Sequence, residues 1–314
     1  MDGLLLGEAA ALTASVFWTF TSIAFTVGSR KIGALNVNMW RMVFALGLLA
    51  ISHIVILGTL IPSANQAQWG YLGLSGIIGL AIGDLGYFSA LMIIGPRRGT
   101  LLMAINPIFS AVLGFFVLGE ILSGWAVVGI SLTLGGVAWV ILEREQNGTE
   151  PKLPPGKEAL GIFAGVVGSV GQGVGLVISK YGMKNAATDG PLDPLSATLI
   201  RMVAASIFFF IAMVAMQKLG PMRDALRDRN GMAATAAGTV IGPFLGVWTF
   251  MVAVSNAEIG VVSTLGSLMP VFIIPVVWVL YRQKTSWRGV IGAVIAIFGV
   301  AILMLHGQLW SFGG

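Results

Sequence analysis

Ten stretches of about 20 or more mostly uncharged residues follow one another along the 314-residue chain, and about 20 apolar residues is what an α-helix needs to cross a hydrocarbon core. They run over 4–28, 38–58, 69–94, 99–119, 124–142, 158–180, 195–218, 231–256, 259–281 and 287–306. The gaps between them are too short for a separate soluble domain. The pattern predicts an all-α membrane protein of ten transmembrane helices, whose chemistry lies on side chains facing an interior between helices.

Composition agrees. The chain is 56% hydrophobic and 10% charged, against about 25% charged in soluble domains. Glycine supplies 43 residues and recurs every three or four positions, as in Gly76, Gly79, Gly83, Gly86 and in Gly161, Gly165, Gly168, Gly171. In lipid that spacing lets helix backbones approach closely; the other reading is that some of these glycines make room for a ligand. There is no cysteine and only two histidines, His53 and His306. Disulfides, thiolate metal sites, a cysteine nucleophile and a multi-histidine metal site are excluded, and no metal or cofactor is expected. The Met-Asp-Gly start lacks the basic region of a signal peptide and the first apolar run is too long for one. Residues 4–28 are read as a retained helix.

The net charge of +5 speaks for topology rather than for a nucleic-acid partner, because the basic residues sit in short gaps at helix ends. The gaps after helices one, three, five, seven and nine hold Arg30, Lys31; Arg97, Arg98; Arg144, Lys152, Lys157; Lys218, Arg223, Arg227, Arg229; and Arg282, Lys284, Arg288. That is 14 of the 18 Lys and Arg. The other side holds Lys180 and Lys184, and Arg41 and Arg201 lie within helices. This bias predicts a multi-pass protein of a plasma membrane with odd-numbered gaps in the cytoplasm and both termini outside.

The halves resemble each other. Arg41-Met42-Val43 recurs as Arg201-Met202-Val203 and Gly86 matches Gly246, both at an offset of 160. Pro107 matches Pro270 and Gly129 matches Gly292, both at 163. Between the halves, Glu143 to Gly156 is charged and carries Pro151, Pro154 and Pro155, which cannot continue a helix. The expected division is 1–148 and 149–314, five helices each. An odd number per half makes the second enter from the opposite face, an inverted repeat, and inverted repeats recur in secondary transporters with the site near the midplane.

Phe17-Trp18 in the first helix, Arg41 opening the second, and Asn106-Pro107 in a fourth helix that ends Leu118-Gly119-Glu120 give the chain a resemblance to the EamA group of the drug/metabolite transporter superfamily, along nearly its whole length. Tyr281-Arg282-Gln283 stands where that pattern has Gly-Glu. The resemblance implies metabolite movement, commonly export, with amino acids, including aromatic ones, prominent among substrates. It also implies cytoplasmic termini, opposite to the basic-residue count.

Candidate site residues are few. Asp84 is the carboxylate in mid-helix, where insertion costs at least ~2.5 kcal/mol. It reads as a proton-titrating site, as a partner for a substrate ammonium, or as a protonated packing residue. Its repeat equivalent is Phe244. Arg41 and Arg201 read as a snorkelling or capping pair or as anchors for an anionic group, with Glu8 and Glu158 as candidate ion-pair partners. Asn106 and Gln172 are deep uncharged polar residues suited to substrate contact or to interhelical bonding. Pro107, Pro243 and Pro270 each free a carbonyl in mid-helix and are candidate hinges. Trp18, Phe20, Tyr87, Phe88, Phe244 and Trp248 fall at mid-depth and either line an apolar cavity or pack against neighbours; Trp18, Tyr87, Phe244 and Trp248 are the expected lining, with these polar groups.

Two strings suggest enzymes and fail. Gly73-Leu74-Ser75-Gly76 matches the GxSG of intramembrane serine proteases, but His53 has no evident orienting carboxylate. Ala81-Ile82-Gly83-Asp84 is one residue short of the GxGD of aspartyl intramembrane proteases, and a second intramembrane Asp is missing. No phosphate-binding loop occurs. The chain reads as no enzyme. It reads as a secondary transporter exporting small metabolites, amino acids above all, by alternating access within membrane lipids, with proton coupling at Asp84 as an option. A passive channel is the alternative, and an intramembrane protease a distant third.

Reporter fusions within 143–157 and 219–230 test the orientation. Both are expected to report cytoplasm; two periplasmic readings would reverse it.

Overall fold

The computed structural model describes residues 2–143, 154–184, 186, 190–215, 217, 219–281 and 286–310. Among them, ten helices are long and apolar enough to cross a membrane: α1 (Gly3–Ile32), α2 (Ala34–Leu57), α3 (Gln66–Gly95), α4 (Arg98–Leu118), α5 (Gly124–Leu142), α6 (Gly156–Lys184), α7 (Pro194–Ala215), α8 (Arg229–Asn256), α9 (Ile259–Val276) and α10 (Trp287–Leu305). Each coincides with one apolar stretch of the sequence, and no strand occurs among the described residues. Most of the charged seam, 144–153, lies outside the described residues, as do Lys218 and the Arg282-Gln283-Lys284 string.

Each half contributes five spans, so the halves run inverted, and the packing shows the relation. α3 lies along α6, and α8 along α1. α3 also meets α7 as α8 meets α2, and α4 meets α6 as α9 meets α1. The pairs α2–α7, α4–α9 and α5–α10 each join equivalent helices. Exchanging the halves maps every contact in this set onto itself or onto another member, as a two-fold relation requires.

The glycine stripes are packing seams. Those of α3 and α6 face each other: a Cβ on Gly86 would stand 2.7 Å from the backbone nitrogen of Gly168, and one on Gly171 would stand 3.1 Å from the Cα of Gly83. The backbones touch without side chains between them, the small-residue packing that association in lipid favours. α5 and α10 pack likewise through Gly129, Gly136, Gly292 and Gly299. Outward-facing Trp125, Trp139 and Trp287 are exposed, as an aromatic belt requires.

Regular helix is interrupted at equivalent places. The third helix of each half contains a π-helical stretch, Gly76–Gly83 in α3 and Val240–Gly246 in α8, the second holding Pro243. The fourth helix of each half breaks before its proline: at Ala104 and Ile105 ahead of Pro107, and at Ser267 and Leu268 ahead of Pro270. Gly95, with φ 84° and ψ 164°, turns the chain out of α3 in a conformation open to glycine but strained for other residues. Local π geometry and broken helices in a membrane bundle gather where backbone lines a protein interior.

Substituting Gly168 by Val drives a side chain into the α3 backbone. Overpacking of this kind costs about 1–3 kcal/mol, so the melting temperature in detergent should fall. Gly47→Ala, where a Cβ meets nothing within 4 Å, is the control and should leave it unchanged or raise it.

Candidate functional site

Asp84 begins a new regular helical stretch directly after the π turn of α3 and is buried. Its carboxylate is held from both halves. Arg41 Nη2 on α2 donates to Oδ2 at 2.5 Å, and Gln172 Nε2 on α6 donates to Oδ1 at 2.7 Å. The Arg41 and Asp84 side chains are 12% and 11% exposed, so the pair is nearly desolvated and depends on its hydrogen bonds. Arg41 Nε also donates to Asn38 Oδ1 at 2.6 Å, one turn earlier on α2, and its guanidinium lies 5.2 Å from the centre of the Phe88 ring. The candidate partners Glu8 and Glu158 are not what Arg41 uses. Glu158 pairs instead with Arg98 at 2.6 Å, both half-exposed, because the start of α6 lies beside the start of α4. Glu8 is buried in α1.

Arg201, the repeat equivalent of Arg41, is buried. It donates to Ser179 Oγ and to Met251 Sδ. No carboxylate contacts it among the described residues, and its Nε has no hydrogen-bond partner there. It packs behind the π turn, where a Cβ on Gly79 would lie 3.4 Å from its Nη2.

A cavity of about 750 Å³ runs from this network to one membrane face. Asp84, Tyr87, Asn106, Gln172 and Trp18 line it, as do Pro243, Pro270 and Arg41. Trp18 stacks at 4.9 Å on Phe250, which also lines it. Asn106 accepts from Ser110 Oγ at 2.9 Å. Phe244 and Trp248 are not among the lining residues. They pack into the apolar cluster of α2 and α7, because the cavity-facing stripe of α8 is Pro243, Val247 and Phe250, and residues one further on point elsewhere on a helix. Pro107 is buried beside the cavity rather than in its wall. Phe88, another of the mid-depth aromatics, is in the wall, whereas Phe20 is exposed on the outside of α1; sequence reasoning passed over Asn38, Ser263 and Ser267, all in the wall. Asn38 was legible as the residue three before Arg41, and Ser263 and Ser267 as an i, i+4 pair beside Pro270.

The mouth lies at the face of the odd-numbered gaps, among Ser29, Arg30, Leu35, Met92 and Thr100. There the end of α1 and the start of α2 pack with the start of α8, while the end of α3 and the start of α4 pack with the start of α6. The opening separates these two groups. At the opposite face the equivalent groups are joined. Lys180 on α6 forms an ion pair with Glu120 after α4 and donates to the carbonyl of Ala257 between α8 and α9 at 2.5 Å. Glu120 also accepts from the backbone N–H of Ile259 at 2.7 Å. Lys180 and Glu120 are 8% and 15% exposed. Further along this face, His53 Nε2 lies 3.0 Å from Ser196 Oγ, tying α2 to α7.

Ten helices in inverted halves around a cavity that reaches one face and is shut at the other fit a membrane transporter of small solutes. The chain belongs to the EamA-like transporter family, of the drug/metabolite transporter superfamily, whose model matches residues 5–142 and 159–305. A solved structure described as "Crystal structure of protein" is similar in fold, with TM-score 0.72 and 19% identity over 97% of this chain and 98% of that one. No curated protein matches the chain. The family's members are transporters of small solutes rather than enzymes.

Removing one partner of a buried ion pair costs about 3–5 kcal/mol, which is about a hundredfold or more in a conformational ratio. Lys180→Met should therefore open the shut face. The chain has no cysteine, so Ser267→Cys serves as the reporter. An impermeant thiol reagent should label it from the odd-gap face in the parent and from the even-gap face once Lys180 is replaced. Exchanging the charges, Glu120→Lys with Lys180→Glu, should restore much of the parent pattern.

Proposed function

We propose that the protein is a secondary transporter that carries amino acids or closely similar metabolites outward across the bacterial inner membrane by alternating access. The observation that carries this reading is the cavity itself, which reaches from the midplane to one face while a buried ion pair seals the other. A passive channel needs a path through both faces at once. The occluded face favours a carrier that opens to one side at a time.

The wall suits the substrate class. Trp18, Tyr87, Phe88 and Phe250 offer apolar ring surface, and Asn38, Arg41, Asp84, Asn106 and Gln172 offer fixed polar groups, the mixture that small-molecule sites use. Such a lining accepts varied apolar side chains, since one methylene is worth about 1–3 kcal/mol of discrimination. The breaks before Pro107 and Pro270 and the π stretch with Pro243 are the proposed hinges, and the proposed boundary between halves is 148/149. With odd-numbered gaps in the cytoplasm, as the basic residues argue, the cavity opens inward, poised to load a solute for export. Asp84 is the candidate coupling residue, because it is the carboxylate of the wall and its partners come from both halves.

Counterflow in liposomes tests the carrier. Internal unlabelled amino acid should accelerate uptake of labelled amino acid, and a lack of acceleration with conductive flux would establish a channel. Within that assay Trp18→Ala should reduce transport. Asp84→Asn should reduce the rate tenfold or more and flatten its pH dependence, since it leaves the Arg41 guanidinium without its counter-charge. A normal rate and an unshifted pH profile would assign Asp84 to packing.

A further inference from the structure

The midplane holds two guanidinium groups and one carboxylate. Arg41 spends Nε on Asn38 and Nη2 on Asp84. Among the described residues its Nη1 donates to nothing, and the side chain lines the cavity. A guanidinium has five N–H donors and no acceptor, so Arg41 enters the wall with donors in hand. Asp84 already has its counter-charge, with Oδ2 bonded to Arg41 and Oδ1 to Gln172. Arg201 adds a second buried cation behind the π turn with no carboxylate contact among the described residues. With Asp84 ionised the three groups sum to +1, and with Asp84 protonated they sum to +2. Asp84 is the only acidic side chain in the described wall, while Arg30 adds positive charge at the mouth. A low-dielectric cleft lined by one sign of charge concentrates the opposite ion.

Resting on the reading of this cavity as the substrate site, we propose that it recognises its substrate by a carboxylate, held by the free Nη1 of Arg41, and that a substrate amino group is not recognised. The apolar body lies on the rings of Trp18, Tyr87, Phe88 and Phe250. An ammonium at Asp84 would bring a further cation beside the Arg41 guanidinium that already counters the carboxylate, in a cavity already positive. A substrate carboxylate adds a charge-assisted bond to an unused donor and leaves the Arg41–Asp84 pair in place. The substrate class is thus wider than amino acids: monocarboxylates with an apolar or aromatic body qualify, and the corresponding amines do not.

Three probes with one phenyl body separate the groups: phenylalanine, 3-phenylpropanoate and 2-phenylethylamine. Binding of each to the purified full chain is measured by calorimetry, and flux of each in proteoliposomes. The two acids should bind within about threefold of each other and the amine at least about tenfold more weakly, as loss of one charged hydrogen bond implies. Arg41→Lys keeps a cation for Asp84 but removes the fork. It should weaken both acids about tenfold and leave the amine unchanged. An amine that binds as well as the acids, or acids that bind Arg41→Lys as they bind the parent, would overturn the inference. Binding of phenylalanine without binding of 3-phenylpropanoate would also overturn it, while leaving amino-acid transport intact. Acids that bind as expected but never cross the membrane would leave the recognition standing and remove the transporter reading. If none of the three binds, both fall.

Discussion

The contact on which the rest depends is the backbone-to-backbone seam between α3 and α6. Two stripes of glycine let the helices touch without side chains between them. That proximity places Gln172 Nε2 2.7 Å from Asp84, and so lets a carboxylate exist near the bilayer centre. A side chain at Gly83 or Gly168 would push α6 away and remove one of the two donors that satisfy Asp84. The same seam joins a helix of the first half to one of the second. The packing of the halves and the polarity of the site are therefore one problem, solved by the smallest residue. The equivalent seam of α1 with α8 carries Trp18 against Gly246, apolar where the other is charged. The cavity thus has a polar wall and an aromatic wall.

Much of this was legible in the sequence because lipid leaves few options. The ten spans follow from length and hydropathy, and the inversion from an odd count per half. Asp84 stood out by the cost of its placement, and Trp18, Tyr87, Asn106 and Gln172 by polarity or ring size at depth. The partner of Asp84 was not legible. Arg41 lies 43 positions away on a helix that meets α3 only through the tertiary fold, and Glu158, near a helix start at the same face, was as good a candidate partner for it. Phe244 and Trp248 went astray for a local reason: the π stretch around Pro243 and the helical stripe that continues through Val247 and Phe250 choose the face, and neither is visible in a count of aromatics.

The charged groups divide by task according to exposure. Arg98 and Glu158 pair at a half-exposed helix junction, where such a pair is worth ~1 kcal/mol or less. Arg41 with Asp84 and Lys180 with Glu120 are nearly desolvated, so each is costly to separate and constrains a conformation. One lies at the midplane, where a solute can bear on it. The other lies at the shut face, where it ties α6 to the end of α4 and to the turn between α8 and α9.

Among the described residues the shut face has no mirror image, and the sequence repeat shows why. Gly7 with Gly161, Ser15 with Ser169 and Gly28 with Gly182 align α1 with α6 at an offset of 154, which pairs Lys180 with Thr26. The offset of 163 for the fourth helices pairs Ile259 with Pro96 and Glu120 with Gln283. A symmetric latch at the odd-gap face would thus need Thr26 to supply a cation, Gln283 to supply an anion, and Pro96 to donate an N–H that proline lacks. None can. Thr26 instead lies in the open mouth, its hydroxyl donating to the Ser22 carbonyl at 2.7 Å. The two ways of closing the bundle are therefore unequal in energy although the backbone is nearly two-fold. The Lys180–Glu120 pair thus favours the arrangement in which the cavity opens to the odd-gap face. On the proposed alternating-access reading, leaving that arrangement would need a compensating interaction from the solute or from a proton.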